Sequence, residues 1–320
     1  MKTKTAIIVL IIIALAAGLW TAFERGPSQP TCLVPAWQLM PKGAYEGQSS
    51  TDPMMAWSPD SRSLLFTAVS MKGYRTSILR WKVGEKQVDR LVYGVSPNYI
   101  DNDKFVFLGL SSKSIIERNL ATGRERDLVP NLRKVELWKE ITGFSYDPAR
   151  KTIDLRFASF TRHYEPGVEQ IDLAGNSLGA VGRTTGDNVI ERSPDPKGGR
   201  SAVIVGELSE GVRELRIARP GEETKASPVA TGNLGALAWS PDGRMVAFAD
   251  SNEVIALNPG DMKIVTVARF GAPLESGEGT YVCRLAWSPN SSYLAALDLV
   301  PSVDSAYAVL YVLDMSKVKW

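Results

Sequence analysis

A short segment, Ala-Trp-Ser-Pro followed by Asp or Asn, recurs along the chain and constrains the fold more than any other feature. Three close copies occupy residues 56–62, 238–244 and 286–292, and each is followed by an apolar stretch. Proline presets φ for the second position of a turn, and Asp, Asn and Gly suit the positions after it. Because β-branched and aromatic residues follow, each copy predicts two strands joined by a tight turn.

Three weaker copies, at 95–98, 146–150 and 192–200, fill the interval between the first and second close copies. The six prolines are Pro59, Pro97, Pro148, Pro194, Pro241 and Pro289. Their spacings are 38, 51, 46, 47 and 48 residues. Val95, Tyr146 and Arg192 stand where the close copies have Trp57, Trp239 and Trp287. Such near-constant spacing predicts six similar structural units.

The unit that contains Trp239 indicates what each unit holds. After its turn come three further strand-like stretches, at 245–248, 253–257 and 263–267, separated by turn residues. This is a four-stranded antiparallel meander of the length of one propeller blade. The sequence therefore predicts an all-β, six-bladed β-propeller of four-stranded antiparallel blades over residues 31–320. The tryptophans are expected to pack between neighbouring blades, where their large apolar area is buried.

The last unit has three strand-like stretches and too few residues after them for a fourth. An unassigned stretch at 31–40, with Leu33, Val34, Trp37 and Leu39, precedes the first copy. We predict that it supplies the missing strand and closes the ring, which removes an exposed sheet edge. This arrangement brings Cys32 and Cys283 to the same blade, so a disulfide between them is one alternative and two unpaired thiols are the other.

The N-terminus, residues 1–25, predicts a transmembrane or signal helix ahead of the propeller. Lys2 and Lys4 precede an uncharged run over residues 6–23. A helix of that length spans roughly 27 Å, just enough to cross a bilayer. An uncleaved anchor and a cleaved signal peptide both remain open, and both export the rest of the chain. Residues 26–30, rich in proline, read as a short linker.

Composition excludes several classes of protein. The net charge is +2 and the basic residues are scattered, so we expect no nucleic-acid partner. The two cysteines do not form a C-x-x-C motif, and His163 is the one histidine, which excludes cysteine-based and histidine-rich zinc sites. We expect no cofactor.

The W-S-P-D-G signature, carried most strongly by Trp57–Asp60, 239–244 and 287–290, resembles the WD-like repeat of the TolB-like propeller family. The resemblance covers residues 31–320. It implies a propeller alone, because the chain has no room for the extra N-terminal α/β domain of TolB itself.

Few residues suggest catalysis. Residues 175–179 match the G-x-S-x-G pattern of serine hydrolases, but that motif needs a following helix and a downstream histidine, and His163 lies upstream. Residues 101–103, Asp-Asn-Asp, resemble a fragment of a calcium loop but lack the closing glutamate. Asp60, Asp195 and Asp242 are interpreted as turn residues that bond nearby backbone groups.

These observations predict an exported, membrane-anchored scaffold that binds a protein or ligand of the cell envelope. We name no catalytic, cofactor or metal residue. The alternative is an enzyme that acts on carbohydrate or peptide through carboxylates in the propeller channel.

Overall fold

The structure is a computed structural model. It describes residues 31–32, 55–70, 75–85, 87–109, 114–130, 132, 141–147, 149–157, 168–180, 189–206, 212–223, 225–270, 281–301 and 306–318. Within these ranges, no helix is long and apolar enough to span a membrane. The predicted anchor at 6–23 and the linker lie outside the described residues, as do Pro148 and His163.

The described residues form six four-stranded antiparallel sheets, as the repeat predicts. We number these sheets as blades 1 to 6 in chain order.

The strands of blades 1 to 3 follow one another along the chain. Blade 1 contains β2 (Met55–Trp57), β3 (Ser63–Ser70), β4 (Arg75–Lys82) and β5 (Val88–Tyr93). Blade 2 contains β6 (Val95–Tyr99), β7 (Lys104–Gly109), β8 (Ser114–Asn119) and β9 (Glu125–Val129). Blade 3 contains β10 (Ile141–Asp147), β11 (Thr152–Phe157), β12 (Val168–Asp172) and β13 (Ser177–Ala180).

Blades 4 and 5 have the same order, and blade 6 borrows a strand. Blade 4 contains β14 (Val189–Pro194), β15 (Ser201–Val205), β16 (Arg213–Ala218) and β17 (Pro228–Gly232). Blade 5 contains β18 (Leu234–Trp239), β19 (Val246–Asp250), β20 (Glu253–Asn258) and β21 (Lys263–Arg269). Blade 6 contains β22 (Tyr281–Trp287), β23 (Tyr293–Pro301), β24 (Ala306–Asp314) and β1 (Thr31–Cys32).

The N-terminal strand β1 is the outer strand of blade 6. Thr31 pairs with Val312 and Cys32 with Tyr311, both antiparallel. Cys283 lies on β22, at the opposite edge of the same sheet, with β23 and β24 between the two cysteines. Three strand spacings of about 4.8 Å separate β1 from β22, so the Cα atoms of Cys32 and Cys283 are at least about 14 Å apart, farther than a disulfide spans. A disulfide between Cys32 and Cys283 would require β1 or β22 to lie elsewhere than at the opposite edges of this sheet.

The core consists of apolar clusters between blades. One cluster joins blades 6 and 1 around Trp57 and Leu310, and another joins blades 5 and 6 around Trp287 and Phe270. Further clusters join blades 2 and 3, blades 4 and 5, and blades 1 and 2. The first strands of neighbouring blades also contact each other, as β14, β18 and β22 do in succession, so the first strand of each blade is innermost.

Strand pairing corrects the alignment of two weak repeat copies. Trp57 pairs with Leu64 across its turn, and Trp239 and Trp287 pair with Val246 and Leu294 in the same way. In blade 2 the residue at this position is Tyr99, which pairs with Phe105. Pro97 is therefore not the turn proline that the sequence suggests. It lies within β6, at a bulge where Ser96 has φ 54°, a place where no ladder hydrogen bond from proline is needed.

Blade 4 requires a similar correction. Pro194 pairs with Ser201, so Pro194 rather than Arg192 occupies the tryptophan position. The backbone N–H of Asp195 donates to the Arg200 carbonyl, as that of Ser58 donates to Ser63. Asp195 therefore takes the place of the motif serine, and Pro196 takes the place of the motif proline. In blade 3, Tyr146 pairs with Ile153 and keeps its predicted position.

The outermost strands of blades 1 to 5 carry a second repeated feature, a β-bulge that interrupts the pairing of the third and fourth strands. The extra residue is aliphatic in every case. The five residues are Leu91, Leu128, Leu178, Val229 and Val267. Bulges twist a sheet edge and hinder its pairing with another chain.

Candidate binding site at the motif turns

The three close copies of the motif form turns with one shared hydrogen-bond pattern. The Ser58 hydroxyl donates to Asp60 Oδ1, which also accepts the backbone N–H of Arg62. Asp242 and Asn290 do the same in blades 5 and 6. The Ser58 hydroxyl bond, opposed in part by desolvation, holds the pKa of Asp60 below its ordinary value. Asp60 and Asp242 thus stabilise their turns through bonds to nearby groups.

Neighbouring turns are joined by hydrogen bonds from one blade to the next. The Asp242 backbone N–H donates to Ser291 Oγ at 3.1 Å, and that of Asn290 donates to Ser61 Oγ at 3.0 Å. The Asp60 N–H donates to Asn102 Oδ1 at 3.0 Å. These bonds connect blades 5, 6, 1 and 2 through their turns, so the turns form one continuous surface at this end of the propeller.

The motif tryptophans lie between blades. Trp57 Nε1 donates to the Ala286 carbonyl and Trp287 Nε1 donates to the Ala238 carbonyl, each at 3.0 Å. Trp239 differs, because its buried Nε1 has no hydrogen-bond partner. The preceding blade has Pro194 in place of tryptophan, and the Arg200 guanidinium lies 5.6 Å from the Trp239 ring centroid.

A pocket of about 580 Å³ opens on this surface, between the motif turns of blades 5 and 6. Its lining residues come from blades 4, 5 and 6 and are Arg200, Asp242, Gly243, Arg244, Met245, Asn258, Pro259, Gly260, Asn290, Ser291, Ser292, Met315 and Ser316. Met315 and Pro259 are buried residues that contribute apolar surface to the lining. Apolar surface with a few polar groups is the usual composition of a ligand-binding pocket.

Two arginines give the pocket rim a positive character. Arg200 lies 3.3 Å from Asp195 Oδ2 and also contacts the Pro259 carbonyl at 3.5 Å. Arg244 lies 3.8 Å from Asp242 Oδ2, and its side chain is 80% exposed. Since a long exposed ion pair stabilises little, the Arg244 guanidinium can turn to a ligand carboxylate at small cost.

The turn of blade 5 lines the pocket with a glycine that lies close to blade 4. Gly243 has φ 72°, which side-chain-bearing residues adopt less readily. A Cβ at this position would meet the Lys197 side chain at 3.0 Å. Lys197 of blade 4 therefore lies directly over the blade 5 turn.

The six inner strands offer few groups for catalysis. Their described residues include two carboxylates, Asp147 and Glu191. Glu191 is buried and accepts the Leu237 backbone N–H at 2.7 Å, and Asp147 accepts the N–H groups of Ala149 and Arg150. Both carboxylates thus serve structural contacts.

The other sequence-level candidates lie in turns. Residues 175–179 follow β12, where Asp172 Oδ1 accepts the Asn176 N–H and the chain enters β13, so this segment is a hairpin turn rather than a strand-to-helix elbow. Asn102 bonds to Asp60, and Asp101 accepts the Asp103 N–H. In the described part of the chain, no group of three metal-ligating side chains occurs.

The sequence motif locates half of the pocket but not its other residues. Asp242, Arg244 and Asn290 lie in close motif copies and Arg200 ends a weak copy, whereas Asn258 and Met315 lie outside the motif. Their proximity depends on the order of the blades. No signal in the sequence indicates which turns face one another.

Comparisons with known proteins support the fold. No protein-family model and no curated protein matches the sequence. An oligogalacturonate lyase from Vibrio parahaemolyticus superposes with a TM-score of 0.56 and 11% identity, over 91% of this chain and 99% of that chain. An oligogalacturonate lyase in complex with manganese gives a TM-score of 0.54 and 12% identity, over 83% and 89% of the two chains.

TolB from Acinetobacter baumannii gives a TM-score of 0.48 and 14% identity, and the match covers 80% of this chain and 64% of TolB. These solved structures are β-propellers. The two oligogalacturonate lyases, together with the six sheets of the described residues, show that this chain has a β-propeller fold. At these identities, the likeness concerns the fold alone.

Proposed function

We propose that this chain is an exported, membrane-anchored propeller that binds a protein or peptide partner in the cell envelope. The uncharged run at 6–23 supports the anchor. Lys2 and Lys4 precede that run and support its orientation, since positive residues stay on the cytoplasmic side. The propeller then lies on the outer side of that membrane. The pocket at the motif turns is the observation that carries the binding role.

The pocket suits an acidic peptide. Arg244 lies on the rim with its guanidinium exposed, and Arg200 lies on the blade 4 side of the same opening. Met315 and Pro259 offer an apolar surface to a peptide side chain, while the Asn258 and Ser292 side chains can bond to its backbone. Bidentate pairing of arginine with a carboxylate would orient the peptide in the pocket.

Site-specific cross-linking in cells tests the binding role. A photoreactive amino acid replaces Arg244 at the pocket rim, and in a control chain it replaces Arg126, an exposed residue at the outer edge of blade 2. We expect an adduct with an envelope protein from position 244 and none from position 126. Met245→Glu in the same chain should abolish the adduct. Absence of an adduct at 244, or equal adducts at both positions, would contradict the proposal.

Membrane attachment is tested separately. Full-length chain should sediment with membranes and resist extraction at high salt, and an external protease should reach the propeller in spheroplasts. Leu10→Arg with Ile13→Arg places two charges in the apolar run, and we expect this variant to stay in the cytoplasm because charge at the centre of a bilayer is costly. An exported variant, or a wild-type chain inaccessible to protease, would contradict the anchor.

A further inference from the structure

One junction of the propeller differs from the others. Among the described residues, an apolar cluster joins every pair of neighbouring blades except blades 3 and 4. The clusters thus run without interruption from blade 4 through blades 5, 6, 1 and 2 to blade 3. Burial of apolar surface is the main force that holds neighbouring sheets together.

The difference originates at one residue of the second strand. In five blades, the second-strand residue that faces the following blade is apolar and fully buried: Leu65, Val106, Ala202, Ala247 and Ala295, all at 0% exposure. Strand pairing places Asp154 at the equivalent position of blade 3. Asp154 is half-buried and accepts a hydrogen bond from Gln170 Nε2 at 2.8 Å. A carboxylate loses solvation when it is buried, so this face of blade 3 favours contact with water.

The aliphatic bulge residues show the same exception. Leu91, Leu128, Val229 and Val267 each pack into the cluster that their blade shares with the following blade. Leu178 occupies this position in blade 3, where the residue is 54% exposed. Two independent features, one on the second strand and one on the fourth, therefore distinguish this face of blade 3, and no apolar cluster of the described residues joins blades 3 and 4.

We propose that the propeller opens first at the junction between blades 3 and 4, and that Asp154 is the reason. The other five junctions bury apolar side chains from both blades, and opening any of them exposes those side chains to water. Opening the exceptional junction lets Asp154 and Gln170 regain hydration. We call the junction between blades 3 and 4 the weak joint. It lies across the propeller from blade 6, where β1 pairs with β24.

Thiol labelling of buried positions measures the opening. Val203, at 0% exposure, lies on the face of blade 4 opposite to the cluster residues Ala202 and Ile204, and therefore faces blade 3. Ala296, also at 0% exposure, lies in the cluster between blades 5 and 6. Val203→Cys and Ala296→Cys are made separately in full-length chain in which both native cysteines are alanine. We expect the thiol at 203 to react at least about tenfold faster than that at 296.

Asp154→Ala, which gives blade 3 the residue of blades 4 to 6, should slow labelling at 203 by several-fold and leave labelling at 296 unchanged. Asp89→Ala is the matched control, since it removes a carboxylate from the exposed outer strand of blade 1, and we expect no effect at either position. Equal labelling at 203 and 296 would overturn the weak joint. An unchanged rate at 203 in the Asp154→Ala chain would overturn the role of Asp154.

Hydrogen exchange on the unsubstituted chain keeps the proposal testable if an engineered thiol prevents folding. The second strands on either side of the joint, β11 and β15, should exchange faster than β3 and β23, because subglobal opening exposes them first. Uniform protection of all four strands would overturn the proposal.

Discussion

At the residue scale, the tryptophans show that one motif position has different energetic roles in different blades. Trp57 and Trp287 each bury their ring and complete a hydrogen bond to the preceding blade. Trp239 buries the same ring, but its N–H is left without a partner. A buried donor without a partner costs free energy, so the contribution of Trp239 rests on packing and on the Arg200 contact.

A pair of conservative substitutions tests this difference. Trp57→Phe removes the N–H and leaves the Ala286 carbonyl without its partner, so we expect a loss of about 1–3 kcal/mol in the free energy of unfolding. Trp239→Phe removes an N–H that has no partner, so we expect a smaller loss or a gain. Urea denaturation of the two variants measures both. Equal losses would contradict the difference between the two sites.

Asp298 is the second unusual residue. It is 1% exposed on β23, its Oδ1 has no hydrogen-bond partner, and burial raises its pKa to about 7 from 3.8. The folded chain therefore binds this proton more tightly than the unfolded chain. The free energy of unfolding is therefore highest, as far as Asp298 is concerned, below about pH 4. It declines as the pH rises to about 7, and above that pH the loss is complete and does not grow further.

Asp298→Asn should remove this pH dependence, since the amide stays neutral. Above pH 7 the variant should be more stable than wild type by up to about 4 kcal/mol, and near pH 4 the two should be similar. Thermal unfolding from pH 4 to pH 8 checks this, with Asp89→Asn as an exposed control. Parallel stability profiles for wild type and Asp298→Asn would rule out this account of Asp298.

At the element scale, the motif turn is a unit whose central acceptor can be a carboxylate or an amide. Asp60 and Asp242 accept the serine hydroxyl and a backbone N–H, and Asn290 accepts the same two bonds in blade 6. The carbonyl oxygen of the side chain is thus the required feature, and the negative charge is not.

Asp242→Asn should therefore leave stability within about 0.5 kcal/mol of wild type, while Asp242→Ala should lose about 1–2 kcal/mol because the Ser240 hydroxyl and the Arg244 N–H lose their acceptor. Chemical denaturation distinguishes the two variants. If the asparagine variant loses as much as the alanine variant, the charge of Asp242 is essential to the turn.

The turns also explain how far the sequence predicts the fold. The strands around Trp57, Trp239 and Trp287 follow from their turn chemistry, and the spacing of all six motif copies indicates the number of blades. Pro97 and Pro194 mislead because proline also fits at a bulge and at a strand end. The corrected positions are 57, 99, 146, 194, 239 and 287, with spacings of 42, 47, 48, 45 and 48 residues. This spacing is more regular than that of the prolines.

The pocket and the weak joint are less predictable for a common reason. Both depend on contacts between blades, and a repeat pattern identifies equivalent positions without saying which of them is an exception. Asp154 looks like an ordinary strand residue, because alternating polar residues are typical of a half-exposed strand. Its significance appears only when the same position is compared in all six blades.

At the scale of the whole molecule, the chain ends meet in blade 6. The outer strand of that blade, β1, comes from the N-terminal side of the chain and pairs with β24, which precedes the C-terminus. The pairing of β1 with β24 therefore attaches blade 6 to the part of the chain that continues into blade 1. This strand exchange joins the ends of the ring by hydrogen bonds in addition to apolar packing.

The contribution of Thr31 and Cys32 to ring closure therefore comes from backbone pairing. Proline substitution in the full-length chain tests this. Thr31→Pro with Cys32→Pro removes both backbone N–H groups of β1, including the one that can donate to β24, and should lower the free energy of unfolding by about 1–3 kcal/mol. Thr31→Ala with Cys32→Ala keeps both N–H groups and should cost much less. The proline variant should also self-associate, because the unpaired edge of β24 can pair with another chain. Denaturation curves and light scattering measure both effects. Equal stability of the proline and alanine variants would show that β1 does not hold the ring closed.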